Sequence, residues 1–128
     1  MALNFALPDT NVLILGLAKK EPSASFLRTL IENNTLVLSS IVVAEFLVGV
    51  TDEEEKIFQL LLQRFKVLPV DSAVSQIAAY YRKKYLGMGR KLALPDCLIA
   101  ATCKVYQATL VTLNKRDYPM NDIQIINP

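Results

Sequence analysis

The sequence predicts a single α/β domain of three layers, with a central, mostly parallel sheet of four or five strands between helices. Short, continuously apolar segments alternate with longer segments of helical period. Strands that are apolar on both sides are typical of parallel sheets covered on both faces. A length of 128 residues fits one domain, and we expect residues 1–128 to form a single unit.

The predicted strands are short, and the first ends at a proline followed by an acid, Pro8 and Asp9. No internal repeat or low-complexity segment interrupts the alternation of strands and helices. The predicted strands are Phe5 to Leu7, Thr35 to Ser39, Val67 to Val70, Thr109 to Thr112 and, as a fifth, Ile123 to Ile126.

The helices are predicted from apolar positions three and four residues apart and from residues that cap helix ends. Thr51 and Glu54 have the spacing of a capping box, and Asp71 precedes another helix as its cap. Gly87 to Gly89 is a flexible break. The predicted helices are Asn11 to Leu17, Pro22 to Glu32, Ile41 to Val48, a helix from the Thr51 cap through Leu62, Ser72 to Leu86, and Asp96 to Tyr106.

Composition limits where the protein acts. Although 52% of the residues are apolar, the longest apolar runs are well short of the ~20 residues that cross a bilayer, and we expect no membrane partner. The N-terminal segment lacks the basic region of a secretory signal, so we expect a cytoplasmic protein. Cys97 and Cys103 are six residues apart on one predicted helix, too far around it to form a disulfide, and reduced thiols fit a reducing compartment.

Four carboxylates lie where an apolar segment meets a loop or inside an apolar helix: Asp9, Glu45, Asp96 and Asp117. Removing an ionised carboxylate from water costs several kcal/mol unless it is compensated. Two such groups about 4 Å apart repel by roughly 4 kcal/mol at an effective dielectric constant of 20. A divalent cation is the simplest compensation, and a chain without histidine favours a hard one, Mg²⁺ or Mn²⁺.

The predicted topology gives two of these acids a common location. Asp9 and the segment from Thr112 to Asp117 follow strands directly, and parallel sheets bind ligands beyond the carboxyl ends of their strands. Each of Asp9 and Asp96, taken alone, is also explained as a helix cap or a first-turn acid. Glu45 is not explained as a cap, and its apolar neighbours in a helix indicate that it needs a counter-charge; a solvent-exposed face of that helix is the competing explanation.

Four segments carry a resemblance to a known family: LPDTNVLI, SSIVVAEFLVGV, LALPDCLIAATC and TLVTLNKRDY. They resemble the four signatures of the PIN-domain family, and their arrangement is most similar to the VapC-type toxins of prokaryotic toxin–antitoxin pairs. The resemblance covers essentially the whole chain in the right order. Carried over residue by residue, it places the metal-binding acids on Asp9, Glu45 and Asp96, with Asp117 as a fourth.

The resemblance also assigns polar positions around those acids: Thr10 and Asn11 after the first acid, and Thr112 and Asn114 before the last. Asn114 stands where many relatives have a second aspartate. The resemblance implies a Mg²⁺- or Mn²⁺-dependent endoribonuclease that acts as a homodimer on RNA, with transfer RNA or ribosomal RNA as candidate substrates. It also implies a cognate antitoxin protein whose tail enters the acidic groove.

Phosphodiester hydrolysis must bring an anionic nucleophile to an anionic phosphate, and a divalent cation relieves both difficulties. We expect Asp9 and Asp96 to ligate the ion directly, Glu45 to ligate it or to orient the attacking water, and Asp117 to act through water or at a second ion. Three hydroxyls are expected to keep the carboxylates aimed, those of Thr10, Ser40 and Thr112. Caps and turns are the competing explanation for these hydroxyls.

Eight of the fourteen basic residues fall in a span of 35 residues, although the net charge is only +2. Those expected to contact the RNA backbone are Arg82, Lys83, Lys84, Arg90, Lys91, Lys115 and Arg116. Those expected to stack on bases are Tyr80, Tyr81, Tyr85 and Tyr118. The competing interpretation is that basic residues late in a helix complement its dipole and that tyrosines are half-buried.

Two alternatives to an active nuclease remain at the level of sequence. One is a phospho-accepting receiver domain, with Thr112 and Lys115 in two of its roles. The other is a PIN-like domain that has lost catalysis and only binds. For the antitoxin, an apolar patch is expected around Leu13, Leu17 and Leu27.

Overall fold

The structure, a computed structural model, describes residues 4–128 and has the predicted α/β architecture. All six predicted helices are present, together with five short strands and one 3-10 helix. In chain order the elements are β1 (Ala6–Pro8), α1 (Thr10–Leu17), α2 (Ser23–Glu32), β2 (Leu38–Ser39), α3 (Ser40–Val48), α4 (Asp52–Arg64), β3 (Val67–Leu68), α5 (Ser72–Gly87), α6 (Leu94–Tyr106), β4 (Thr109–Val111), the 3-10 helix (Lys115–Asp117) and β5 (Ile125–Ile126).

The strands form one parallel arrangement in the order β3-β2-β1-β4-β5. β1 pairs with β4, β4 with β5, and β2 with β3, all in parallel. A parallel bridge between Ala6 and Leu36 joins the two groups, with the Ala6 amide donating to the Thr35 carbonyl at 2.8 Å. From β1 the chain moves to β2 on one side and later returns to β4 on the other, so the strand order reverses between β1 and β4.

This order excludes the receiver-domain alternative. Receiver domains belong to the doubly wound folds with the order 2-1-3-4-5. Here β3 lies at one edge of the sheet, two strands away from β1. The strand order therefore agrees with the PIN-like prediction and not with a phospho-accepting domain.

The two central strands are buried on both faces. Every residue of β1 and of β4 is buried, including the consecutive pairs Ala6 and Leu7, and Leu110 and Val111. Because successive side chains in a strand point to opposite faces, helices must cover both sides of the sheet. Burial on both faces of the sheet explains why the central strands are apolar at successive positions.

Four strands are shorter than predicted: Thr35 to Ser39 is reduced to a bridge and β2, Val67 to Val70 to β3, Thr109 to Thr112 to β4, and Ile123 to Ile126 to β5. At β3 the reason is visible, since the Val70 amide donates to the Ser40 hydroxyl oxygen at 3.1 Å rather than to a strand. The helix of the Asp96 segment begins earlier than predicted, at Leu94.

The predicted helix caps are present. The Thr51 hydroxyl accepts a hydrogen bond from the Glu54 amide at 3.2 Å, and the Asp71 carboxylate accepts one from the Val74 amide at 2.9 Å. Pro22, predicted as a first helical residue, is instead the residue that precedes α2. These local contacts explain why the helices were predictable from short segments.

The two thiols, Cys97 and Cys103, are buried on α6 and form no disulfide. Across residues 4–128, none of the helices combines the length and the apolar character needed to cross a bilayer.

Gly16 marks a close approach between α1 and α2. A Cβ atom at this position would lie 2.8 Å from Leu27 Cδ2 and 3.3 Å from Leu27 Cβ. Leu27 is buried, so a shift of its side chain would disturb the packing around it. The contact therefore requires glycine for spacing rather than for backbone freedom.

We predict that Gly16→Ala lowers the free energy of unfolding by about 1 kcal/mol, because overpacking costs about 1–3 kcal/mol and exceeds the helix-propensity gain of at most about 1 kcal/mol. Gly87→Ala is the matched control, since it also lies at the end of a helix and its Cβ would meet no atom within 4 Å. Urea unfolding of both variants measures the difference. Equal stability of the two variants would contradict the close approach.

Candidate active site

Asp9 lies between β1 and α1 and is almost completely buried, at 6% exposure. One carboxylate oxygen accepts a hydrogen bond from the Val12 amide at 3.1 Å, which caps α1. The other accepts one from the Thr112 hydroxyl at 2.6 Å. The sequence left open whether Asp9 caps a helix or belongs to a site. In the structure it caps α1 with one oxygen, and its second oxygen is bonded to Thr112 at the end of another strand.

Thr112 directly follows β4 and has no exposed surface. Its hydroxyl donates to Asp9 and accepts a hydrogen bond from the Asn114 amide at 3.0 Å. Because β1 and β4 are adjacent and parallel, this single side chain joins the carboxyl ends of both strands. The chain reverses its strand order at this edge, which is where parallel sheets bind ligands.

Asp96 lies in the first turn of α6 and is half-buried. One of its carboxylate oxygens accepts a hydrogen bond from the Tyr118 hydroxyl at 3.3 Å. The start of α6 thus faces the segment that follows the 3-10 helix. The sequence placed Asp96 at a helix start but gave no indication of this partner.

Glu45 and Asp117 are exposed, in contrast to Asp9. The Thr10 hydroxyl donates to Glu45 at 2.5 Å, and the Asn114 side-chain amide donates to Asp117 at 3.0 Å. The expectation that Glu45 lies in apolar surroundings was wrong, whereas its need for a counter-charge stays a prediction. Helix α3 buries Val42 and Phe46 instead and turns Glu45 toward solvent.

All four predicted acids nevertheless face one cavity of about 150 Å³. It is lined by Asp9, Thr10, Asn11, Glu45, Asp96, Ile99, Asp117 and Tyr118. Over the part of the chain that the structure describes, the one ion pair joins Lys104 and Asp122, so none of the four acids has a basic partner. The cavity is therefore a concentration of uncompensated negative charge.

The carboxyl groups repel one another and lose hydration. Burial, together with the charges of Asp117, Glu45 and Asp9, raises the pKa of Asp96 to about 6, although the hydrogen bond from Tyr118 lowers it. Burial also raises the pKa of Asp9, although its bonds to Thr112 and the Val12 amide oppose the shift. A positive ion in the cavity would reverse both shifts.

The donor set fits a hard divalent cation, since every candidate ligand is an oxygen atom. Among residues 4–128, however, no three Asp, Glu or Cys side chains stand at the mutual distances of a preformed metal site. Glu45 and Asp117 are exposed and each accepts one side-chain hydrogen bond, whereas Asp9 is buried and held by two hydrogen bonds. Asp9 is therefore held in place, and the other three acids lie around the same cavity.

Of the predicted polar residues, Thr10, Asn11, Thr112 and Asn114 lie at the cavity or bond to its acids. Ser40 does not. Its hydroxyl oxygen accepts the Val70 amide and fixes the start of α3 against the loop after β3. Ser40 was predicted to orient a carboxylate, but in the structure its hydroxyl oxygen binds the backbone of the loop after β3.

The candidate basic residues lie in several parts of the structure. Lys115 and Arg116 are exposed in the 3-10 helix beside Asp117. Lys83 lines a separate shallow surface on α5 together with Tyr80 and Lys84, none of which reaches the acidic cavity. The remaining candidates are Arg82, half-buried on α5, and the exposed pair Arg90 and Lys91 between α5 and α6.

Three of the four tyrosines expected to stack on bases are buried, namely Tyr81, Tyr85 and Tyr118. Tyr81 donates to Asp122 at 2.9 Å and Tyr85 to the Pro119 carbonyl at 3.1 Å. Their rings belong to the core, so the stacking expectation is wrong for these three.

The apolar patch expected for the antitoxin around Leu13, Leu17 and Leu27 is not exposed as predicted, because Leu13 and Leu27 are buried where α1 and α2 pack together.

Two cavity residues were not predicted as part of the acid site, Ile99 and Tyr118. Ile99 lies one turn after Asp96 on α6, so helical spacing could have identified it. Tyr118 is next to Asp117 in sequence, but its bond to Asp96 depends on tertiary packing that local sequence does not show.

We predict that Asp96→Asn stabilises the metal-free protein at pH 7 and has no effect near pH 4. Below the ordinary pKa of 3.8 the carboxyl is protonated in both states, and above about 6 it is ionised in both, so its penalty on folding appears as the pH rises between these values. The increase in pKa from 3.8 to about 6 corresponds to roughly 3 kcal/mol. Screening by water at the open side of the cavity reduces the expected gain in stability to about 1–2 kcal/mol. Urea unfolding in EDTA measures it.

Glu53→Gln, which removes an exposed acid on α4 outside the cavity, is the control for that experiment. A gain from Asp96→Asn that persists unchanged at pH 4 would show that charge is not its cause.

Comparison with known proteins identifies the fold. The model of the PIN domain family matches residues 6–123. Ribonuclease VapC10 of Mycobacterium tuberculosis is 30% identical over 114 residues, which cover 89% of this chain and 86% of the relative. Toxin FitB of Neisseria gonorrhoeae is 31% identical over 133 residues, which cover 94% and 95%. A solved toxin–antitoxin complex from Klebsiella pneumoniae contains a chain that superposes with a TM-score of 0.75 at 23% identity, covering 94% of this chain and 95% of that one. With its strand order and its four matching segments, the chain belongs to the PIN-domain family.

Proposed function

We propose that this protein is a metal-dependent endoribonuclease that hydrolyses RNA phosphodiester bonds and is the toxin of a toxin–antitoxin pair. The observation that carries the proposal is the cavity in which four carboxylates from four separate segments meet without a basic partner. Relatives that align over most of their own length, one named as a ribonuclease and one as a toxin, support it. The cost of gathering these charges makes sense if the site holds a cation.

In this proposal Asp9 and Asp96 hold a Mg²⁺ or Mn²⁺ ion, Glu45 binds it or orients water, and Asp117 acts through water or at a second ion. Such an ion, when bound, supplies an activated water and offsets negative charge at the phosphate. All four acids are assigned as catalytic. The polar atoms available are oxygens, which suits these two ions.

The remaining residues orient the acids. Thr112 and the Val12 amide leave Asp9 little freedom to rotate, since each of its oxygens has a donor. Thr10 holds Glu45, and Asn114 holds Asp117 from the neighbouring turn. Donors of this kind aim a ligand and sharpen its affinity for the ion. Asn11 lies at the mouth, where its exposed amide is available to water or substrate.

RNA approaches the cavity as a polyanion and must meet positive charge around it. Lys115 and Arg116 are placed for this role, because they precede Asp117 in the same 3-10 helix. Arg82, Arg90 and Lys91 are proposed as further backbone contacts. Lys83 belongs to the separate α5 surface and would act only on a longer RNA. Transfer RNA and ribosomal RNA are candidate substrates.

The proposed partners are a cognate antitoxin protein and a second copy of this chain. The solved complex from Klebsiella pneumoniae pairs a chain of this fold with an antitoxin. An acidic cavity left open to solvent is a natural target for a cationic inhibitory segment. We propose the cytoplasm as the site of action, consistent with two buried thiols that are not in a disulfide.

We predict that Asp9→Asn and Asp96→Asn each reduce RNA cleavage by at least about 100-fold while the protein stays folded, since each removes a charged ligand but keeps the side-chain shape. Cleavage of mixed cellular RNA in Mn²⁺, with circular dichroism to check the fold, measures this. Glu53→Gln should cleave as the wild type does.

An inactive but correctly folded wild-type protein would support the alternative of a PIN-like binding module. Cleavage that survives in Asp9→Asn and Asp96→Asn would exclude the acidic cavity as the active site and point to a contaminating nuclease.

We predict that Mn²⁺ raises the thermal midpoint of the wild-type protein by several degrees, because saturation at about 100 times the dissociation constant adds roughly 2.7 kcal/mol to stability. The rise should be lost in Asp9→Asn and retained in Glu53→Gln. Differential scanning fluorimetry against an EDTA reference measures it. An equal rise in Asp9→Asn would show that the ion binds elsewhere.

A further inference from the structure

We infer that Tyr118 is a positioning residue, whose hydroxyl holds the Asp96 carboxylate in the orientation that binds the metal ion. This inference rests on the proposed function and adds one residue to its machinery. It comes from the hydrogen bond between the Tyr118 hydroxyl and Asp96 at 3.3 Å, inside the cavity that both side chains line.

Among the described residues, Tyr118 is the one hydrogen-bond donor to the Asp96 side chain. Asp9, in comparison, is held by the Val12 amide and the Thr112 hydroxyl. The two acids expected to bind the ion directly are therefore fixed in different ways, one by two donors and the other by one phenol.

The position of Tyr118 makes its hydroxyl specific for this role. The residue follows the 3-10 helix that carries Asp117, and it is only 4% exposed. Its ring packs in the core, which fixes the direction of the C–O bond. The side chain thus connects the segment bearing one acid to the helix bearing another, and a buried phenol hydroxyl needs such a partner.

The hydroxyl is a dependable donor. A phenol has an ordinary pKa of about 10, so the Tyr118 hydroxyl keeps its proton at neutral pH and can donate to Asp96. A phenylalanine at this position would fill the same space in the core but would leave Asp96 free to rotate. Packing and positioning can therefore be separated by removing one oxygen atom.

The test is Tyr118→Phe, with Tyr85→Phe as the matched control. Tyr85 is also a buried tyrosine, and its hydroxyl donates to the Pro119 carbonyl at 3.1 Å, next to Tyr118. Both variants lose one buried hydroxyl that bonds to the same part of the structure. Only Tyr118→Phe removes a contact to a proposed metal ligand.

We expect isothermal titration with Mn²⁺ to show affinity about 10- to 100-fold weaker for Tyr118→Phe, the usual loss when a residue that orients a metal ligand is removed. Tyr85→Phe should bind as the wild type does. Cleavage by Tyr118→Phe should fall at limiting Mn²⁺ and recover at saturating Mn²⁺, whereas cleavage by Asp96→Asn should not recover.

Wild-type affinity in Tyr118→Phe would overturn the inference. Equal weakening in both variants, or loss of the folded circular dichroism spectrum in Tyr118→Phe alone, would also overturn it, because the hydroxyl would then serve stability. The inference and the proposed function fail separately. A wild-type protein that binds Mn²⁺ more tightly than Tyr118→Phe but cuts no RNA disproves only the nuclease proposal.

Discussion

The hydrogen bond from Thr112 to Asp9 is the contact on which the site depends. It joins the carboxyl ends of β1 and β4, the two strands between which the chain reverses its direction of travel across the sheet. Without it, a buried carboxylate would lose one of two donors, at a cost of about 1–3 kcal/mol. The register in which β1 pairs with β4 therefore determines where Asp9 and Thr112 meet at the cavity.

The same cavity works against the stability of the fold. Burial and mutual repulsion raise the pKa values of Asp9 and Asp96, so the folded protein keeps these groups ionised only at a cost. The core must supply that free energy, and the doubly buried strands and the close contact of α1 with α2 do so. Sites that concentrate like charge are a common reason why natural proteins lie below their maximum stability.

Much of the fold followed from short stretches of sequence, because its signals are local. Caps such as Thr51 and Asp71 act within a few residues, and apolar period marks each helix. Strand lengths were overestimated because strand pairing depends on residues that are distant in sequence. The Val70 amide, for example, donates to the Ser40 hydroxyl and not to a neighbouring strand. The burial of Glu45 was misjudged for a similar reason. Its helix is apolar on most sides, and only the packing of α3 decides which side meets water.

The separation of 103 residues between Asp9 and Thr112 has a consequence for biosynthesis. While β4 and the 3-10 helix are still untranslated, the nascent polypeptide has Asp9 without its partner strand and lacks Asp117 altogether. A chain growing on a ribosome therefore cannot assemble the complete cluster of acids until the segment through Asp117 has been synthesised.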